Sequence, residues 1–383
     1  MKILFAADVH PDPDSGAAGT ELRTIEALRE LGHDVDALWA GDLRRRIRHG
    51  NLHYLLELPW AYRDAIAARS AEKPYDVVHV NQPQAWLAAR EHRRLRRPGV
   101  FVNRSHGWEP RIAEALRPWR WKYGVPEWRF PRGVAGRPVR YALHGLYPRW
   151  CATASDGVIV SCSEDREYLL SHYGLAPDRV ACIPQAPAPV FTATPVPPMT
   201  RARLNRVLVA GQVAFFKAPH VVAETFSLLA ARNPDLSFTW CCPESAHAEW
   251  RARLTPAARA RTAFVGWMPQ EQLVRLYDAH GIFLFPSYTE GFGKVFLEAM
   301  ARGLCVVASD AAGMRDVIRD GATGHLVPPG HAAEFAAKIE AALADPGTAA
   351  LAANATAAAR AFTWRRVAEE TAAFYNGVRP RLL

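Results

Sequence analysis

Residues 282–303 read Ile282-Phe-Leu-Phe-Pro286-Ser-Tyr-Thr-Glu290-Gly-Phe-Gly293-Lys294-Val-Phe-Leu-Glu298-Ala-Met-Ala-Arg302-Gly303. Four apolar residues closed by a proline predict a short buried strand, Ser287 to Gly293 a loop, and Lys294 to Arg302 a helix stopped by Gly303. In open parallel sheets ligands gather beyond the carboxyl ends of the strands, which is where this loop falls. Gly291 and Gly293 allow backbone to approach a ligand closely, and the helix start at Lys294 offers free N–H groups at the positive end of a dipole. A diphosphate suits that combination. Glu298, about a turn into the helix, carries a carboxylate able to accept both hydroxyl protons of a ribose, and Glu290 is placed to address the hydroxyls of a sugar. Spacing alone also admits a solvated loop carboxylate and one that merely favours a helix start.

The same alternation of short apolar runs and helical patterns extends in both directions and predicts parallel sheets with crossover helices. Upstream, Ile3–Ala7, Val35–Trp39, Val77–Val80, Val100–Asn103 and Gly157–Ser161 read as strands, with a helix over Thr20–Leu31 carrying Leu22, Ile25, Ala27 and Leu28 on one face. A second series comprises Arg206–Ala210, Leu236–Cys241, Ala263–Gly266, Ile282–Phe285 and Cys305–Ala308. Pro184, Pro187, Pro189, Pro195, Pro197 and Pro198 separate the two series, a density that no helix or central strand tolerates, so residues 186–200 read as a linker. The expected organisation is an N-terminal domain over 1–185, the linker, a C-terminal domain over 201–362 and a terminal helix over 363–383. Residues 108–150, dense in Trp, Arg, Pro and Tyr, read as loops and short helices outside the sheet.

A chain of 383 residues exceeds what one hydrophobic core usually supports. No run of 18 apolar residues occurs, and the opening Met1-Lys2-Ile3-Leu4-Phe5 reads as a first strand rather than a leader, so a cytoplasmic protein is expected. The cysteines at 151, 162, 182, 241, 242 and 305 lack metal-ligand spacing; Cys162, Cys182 and Cys305 read as buried thiols, and no metal site is expected. Net charge is +9, but residues 41–150 alone hold 22 Lys and Arg against 9 Asp and Glu. A basic N-terminal half fits an anionic membrane surface, a phosphate-bearing acceptor or nucleic acid.

The run from Pro286 to Gly303 resembles the E-x7-E donor motif of the family 4 retaining glycosyltransferases. The likeness continues through Val306-Val-Ala-Ser309, Gly313, Asp320-Gly-Ala-Thr-Gly324 and Val327-Pro-Pro-Gly330, and upstream to Phe264-Val-Gly266 and Ser161-Cys-Ser-Glu-Asp165. It implies the GT-B fold: two Rossmann-like parallel-sheet domains facing across a cleft, with the terminal helix crossing back to the N-terminal domain. It implies transfer of a sugar from a UDP- or GDP-linked donor to an acceptor hydroxyl with retention, without cofactor or metal. Glu298 would then hold the donor ribose, and Glu290 with the amides of Gly291, Phe292, Gly293 and Lys294 the sugar and diphosphate. Lys217 takes the place of the family's phosphate-binding lysine, His106 that of a histidine touching the donor sugar, and Gly16 lies in a loop at the donor phosphate.

Three departures accompany the matches. Gln212 stands where the family has Arg, Ala218 where it has Gly, and Gln185-Ala186 where it has Asn-Gly. The diphosphate therefore lacks one cation, for which Arg104 is a candidate substitute. Read without the family, Gly16, Gly19 and Asp36 also suggest a nicotinamide site, although the full glycine fingerprint is missing. His10 and His33 read as structural. The other readings are a GT-B epimerase or phosphorylase, and a basic nucleic-acid-binding protein without catalysis. The aromatic, basic stretch 108–150 points to a lipid-linked saccharide acceptor and peripheral contact with the inner face of the cell membrane, in lipopolysaccharide, glycolipid or exopolysaccharide synthesis.

Overall fold

The computed structural model describes residues 1–125, 138–139 and 141–380. These form two compact units, one from Met1–Gln185 with the chain from Trp364 onward, the other from Ala186–Thr363. In the first, β1 (Lys2–Ala6), β2 (Asp34–Leu38), β3 (Val77–Val80), β4 (Val100–Arg104), β5 (Gly157–Val160) and β6 (Val180–Cys182) make one parallel sheet in the order β2-β1-β3-β4-β5-β6. Strands β3, β4 and β5 are buried along their whole length, because helices cover both faces of a parallel sheet. The order reverses between β1 and β3. The terminal helix Trp364–Gly377 belongs to this unit and packs on the helix Gly16–Glu30.

The second unit holds β7 (Arg206–Ala210), β8 (Ser237–Cys241), β9 (Thr262–Val265), β10 (Ile282–Phe285), β11 (Cys305–Ser309) and β12 (His325–Val327) in the order β12-β11-β10-β7-β8-β9, all parallel. Numbered within the unit this is the doubly wound 3-2-1-4-5-6 order, reversing between β7 and β10. Phe283, Phe285, Phe292, Phe296, Leu297 and Met300 pack together beneath that point.

Several sequence expectations are corrected here. The first helix starts at Gly16, not Thr20, so Gly16 and Gly19 stand in its first turn rather than in a loop. Gly19 answers to packing: a Cβ there would lie 2.7 Å from the Pro13 carbonyl oxygen. The buried face of that helix carries Thr20, Glu21 and Thr24 beside Ile25 and Leu28, while Leu22 is half-buried. Within 108–150 a 14-residue helix runs over Glu109–Lys122, with Pro118 in its interior obscuring it in the sequence; residues 126–137 and 140 of that stretch lie outside the described residues. Strands β6 and β12, three residues each, escaped the sequence reading because so short a run at a sheet edge leaves no periodicity. Cys182, on edge strand β6, is exposed and not a core thiol.

The proline-rich segment also differs from a free linker. Val190–Ala193 forms a helical turn, Phe191 is fully buried in the second unit's core, and the segment is clamped there by two arginines. Arg302, itself fully buried, donates to the carbonyls of Thr194 (2.9 Å) and Pro195 (3.0 Å) and pairs with Asp278 (2.8 Å). Arg203 donates to the carbonyls of Pro197 and Pro198. Carbonyls unable to join a ladder beside prolines thus receive cationic donors instead.

Candidate active site

The loops that leave β7 and β10 meet at the reversal point of the second sheet. After Ala210, Gly211 donates its N–H to the Cys241 carbonyl, and Phe215–Lys217 forms a single helical turn. The Tyr288 N–H donates to the Phe216 carbonyl at 2.8 Å, joining the two loops through their backbones. Across that junction the Lys217 ammonium pairs with Glu290 Oε1 at 2.7 Å and lies 4.8 Å from the centre of the Phe285 ring. Glu290 is 7% exposed, so the pair is recessed and its attraction is little screened by solvent. Gly211, Gln212, Val213, Lys217, Phe285 and Ser287 line a small cavity here.

The residue after Lys217 explains one departure. Ala218 has φ 52° and ψ 51°, the left-handed region that favours glycine, and it is fully buried as the N-cap of the helix Pro219–Arg232. The turn needs a glycine-like backbone, and this chain places a methyl group there at a strain cost of about 1–2 kcal/mol.

On the β10 side, Gly293 has φ 92° and caps the helix Lys294–Ala301, turning the chain so that the first N–H groups of the helix end the loop. Glu298 is 6% exposed on this helix, and its Oε2 shares the Tyr277 hydroxyl proton, at 3.4 Å, with the Val295 carbonyl at 3.2 Å. Burial and the charge of Glu298 push the Tyr277 phenol above its ordinary value, so it acts as a donor. Lys217, Glu290, Gly291, Gly293, Lys294 and Glu298 are thus gathered on two adjoining loops and one helix start. Phe292 is different: its ring is 1% exposed and packs beside Phe296 and Phe362, so only its backbone remains for a ligand.

The other expected residues lie in the first unit. Gly16, exposed, is the first residue of its helix. His106 follows β4, and its Nε2 lies 2.7 Å from Glu21 Oε1 while its Nδ1 lies 3.3 Å from the Gln185 amide nitrogen. Gln185, at the position where the family has Asn, is buried and also accepts from the Thr20 hydroxyl at 3.2 Å. Arg104 is fully buried, burial drawing it below its usual value and the Glu21 charge opposing that most, so it belongs to this interior cluster instead of serving as a surface cation for a diphosphate. Asp36 accepts from Tyr75 and pairs with Lys73 at 2.9 Å, which accounts for it without a nucleotide ribose. His33 lies 3.1 Å from the Met1 amino group. Glu21, Gln185 and Thr20 were not among the sequence candidates; the available signal for Thr20 and Glu21 was that, with Thr24, they put three polar side chains on the inner face of the helix, whereas Gln185, beyond β6, left none.

Comparison with known proteins fits both halves of this description. The model for Glycosyltransferase Family 4 matches residues 15–186, and that for Glycosyl transferases group 1 matches residues 205–345, together most of the chain. The chain belongs to the family 4 glycosyltransferases. A D-inositol 3-phosphate glycosyltransferase from Rhodococcus jostii is 29% identical over 234 residues, 56% of this chain and 51% of that protein. The chain therefore spans about half the length of the curated relatives it matches. Among solved structures, the sucrose-phosphate synthase of Thermosynechococcus elongatus superposes with a TM-score of 0.73 at 22% identity, covering 98% of each chain. Anabaena HepE in complex with UDP and glucose superposes at 0.67 and 19% identity, covering 98% of this chain and 99% of that one. These likenesses show the GT-B fold.

Proposed function

We propose that this family 4 member transfers a sugar from a UDP- or GDP-linked donor to an acceptor hydroxyl with retention of configuration. The observation that carries the reading is the arrangement at the β7/β10 reversal: an ammonium and two recessed carboxylates gathered around a helix start. That is the chemistry a sugar nucleotide asks for. Glu298 takes the ribose diol, the amides from Gly291 to Lys294 face the diphosphate, and Lys217 has two further N–H donors for the leaving group while retaining Glu290. HepE in complex with UDP supports a uridine nucleotide as the first donor to try.

In the proposed step the bond from the anomeric carbon to the diphosphate oxygen breaks as the bond to the acceptor oxygen forms. The acceptor proton passes to the departing diphosphate oxygen. Lys217 and the helix amides stabilise the charge that grows there, the term that usually dominates such catalysis. His106 is assigned to the donor sugar by family resemblance. The acceptor is a lipid-linked saccharide, reached at the cytoplasmic membrane face. In support, the helix Glu109–Lys122 ends in Arg120, a Trp121 that is 88% exposed, and Lys122.

A thermal-shift panel of UDP, GDP, ADP and their sugars, followed by product analysis with and without acceptors, tests the reading. Stabilisation by one nucleoside diphosphate and acceptor-dependent release of it support transfer. Epimer or sugar-phosphate formation without acceptor points to a different GT-B enzyme. Steeply salt-dependent nucleic-acid binding with no nucleotide response removes the enzyme reading altogether.

A further inference from the structure

A chain of buried polar side chains stands behind His106. Glu21 is fully buried on the helix after β1, and burial by itself would raise its carboxyl. The hydrogen bond from His106 and the charge of the neighbouring Arg104 guanidinium favour the ionised form and outweigh that. An ionised carboxylate only accepts, so the 2.7 Å contact requires the proton on His106 Nε2. His106 Nδ1 then accepts from the Gln185 amide, whose oxygen lies 3.2 Å from the Thr20 hydroxyl, a hydroxyl that also reaches the Gly16 carbonyl at 2.9 Å. Both ring nitrogens are committed to protein partners.

The chain continues inward. His79, fully buried on β3 and stacked on Phe5, has its Nε2 3.9 Å from Glu21 Oε2. Its Nδ1 lies 2.6 Å from the hydroxyl of Tyr375 on the terminal helix Trp364–Gly377. Burial pushes His79 down to about 3 and the Tyr375 phenol above its ordinary range. A neutral imidazole and a protonated phenol leave one arrangement: Tyr375 donates to Nδ1, and the His79 Nε2–H points at Glu21. The row thus holds two hydrogen bonds, Tyr375 to His79 and His106 to Glu21, with the His79 Nε2–H facing Glu21 Oε2 across 3.9 Å, beyond hydrogen-bond range.

We infer that Glu21 is a positioning residue, backed by His79 and Tyr375, which locks His106 in the Nε2–H tautomer and in one orientation. His106 accordingly presents a fixed ring edge and backbone to its ligand and exchanges no proton with the substrate. The second half of the inference rests on the assignment of His106 to the transfer site. The first half does not, since the tautomer is a property of the unliganded chain. The terminal helix also acquires a role: Tyr375 ties its docking on the first unit to the geometry of His106.

The test is long-range proton–nitrogen NMR on the full chain with nitrogen-15 histidine, His106 being identified by its loss in His106→Gln. The expected spectrum is a single Nε2–H tautomer in the wild type and a mixture of tautomers in Glu21→Gln. An Nδ1–H tautomer or a doubly protonated ring at His106 in the wild type overturns the inference without Glu21→Gln having to fold. Turnover separates the two claims. Glu21→Gln should lower kcat about 10- to 100-fold while leaving nucleotide affinity within about twofold, a split that general destabilisation would not produce. If His106→Ala turns over like wild type, His106 leaves the proposed site while the tautomer result stands. If His106→Ala is inactive and Glu21→Gln retains both tautomer and kcat, the positioning role is overturned.

Discussion

Lys217, the proposed cation for the leaving diphosphate, also has a part in the fold. Paired with Glu290 at 2.7 Å and lying over Phe285, it neutralises a carboxylate that would otherwise sit in low dielectric without a cation. Lys217→Ala should lower transfer about 100-fold or more and cost roughly 1–3 kcal/mol of stability, the usual penalty for a recessed polar group that loses its partner. Donor turnover and the urea midpoint measured on the same preparation check this, and unchanged turnover would remove Lys217 from the site. The lysine was legible because it stands six residues after Gly211 in a familiar pattern. The hydrogen bonds of Glu21 and Gln185 were not, since they join residues 85 and 79 positions from His106 and leave no local spacing to read.

At the scale of the element, the turn before Pro219–Arg232 contains the clearest local conflict between sequence and backbone. Ala218 holds a left-handed conformation in a fully buried place, where its methyl group costs energy that glycine avoids. Ala218→Gly should stabilise the protein by about 1 kcal/mol, the relieved strain exceeding the added freedom of the unfolded chain. A urea titration reads this directly, and a destabilised variant would mean that methyl packing dominates. The strand and helix around residues 282–303 were readable because apolar run, proline, glycines and helix stop all agreed. The helix Glu109–Lys122 was obscured because Pro118 interrupts its pattern, and the Val190–Ala193 turn because prolines on both sides concealed a phenylalanine anchor. The proline segment illustrates a limit of composition as a guide: its prolines deny it a sheet ladder, but Arg302 and Arg203 bind it to the second unit.

For the whole molecule, burial keeps a histidine uncharged in each unit. Burial holds His79 at about 3 in the first unit and His280 at about 4 in the second, where its Nε2 lies 2.8 Å from the Thr239 hydroxyl. Both values lie below that of an unfolded histidine, so the unfolded chain takes up the protons first. The contribution is fully present above about pH 6.5 and is lost as pH falls toward the folded values, at about 1.4 kcal/mol per pH unit for each histidine. The urea midpoint should therefore decline from pH 6.5 to pH 4.5, and His280→Gln should flatten the slope for the second unit. A midpoint constant over that range would contradict the burial of these rings as neutral groups. Two parallel sheets were legible from the alternation of apolar runs alone, whereas the strand order is not written in any run: which strands become neighbours depends on how crossover helices pack. That order sets β7 beside β10 and so joins Lys217 to Glu290.

The central claim is that the reversal point of the second sheet binds a nucleoside diphosphate, with Glu298 on its ribose. Calorimetric titration of wild type and Glu298→Gln with UDP and GDP tests it most directly, since the substitution keeps the size of the side chain and removes its charge. The account predicts saturable binding of one nucleotide by the wild type and affinity weakened about tenfold or more in a variant that unfolds like its parent. No binding of either nucleotide, or equal affinity in the two proteins, would contradict it.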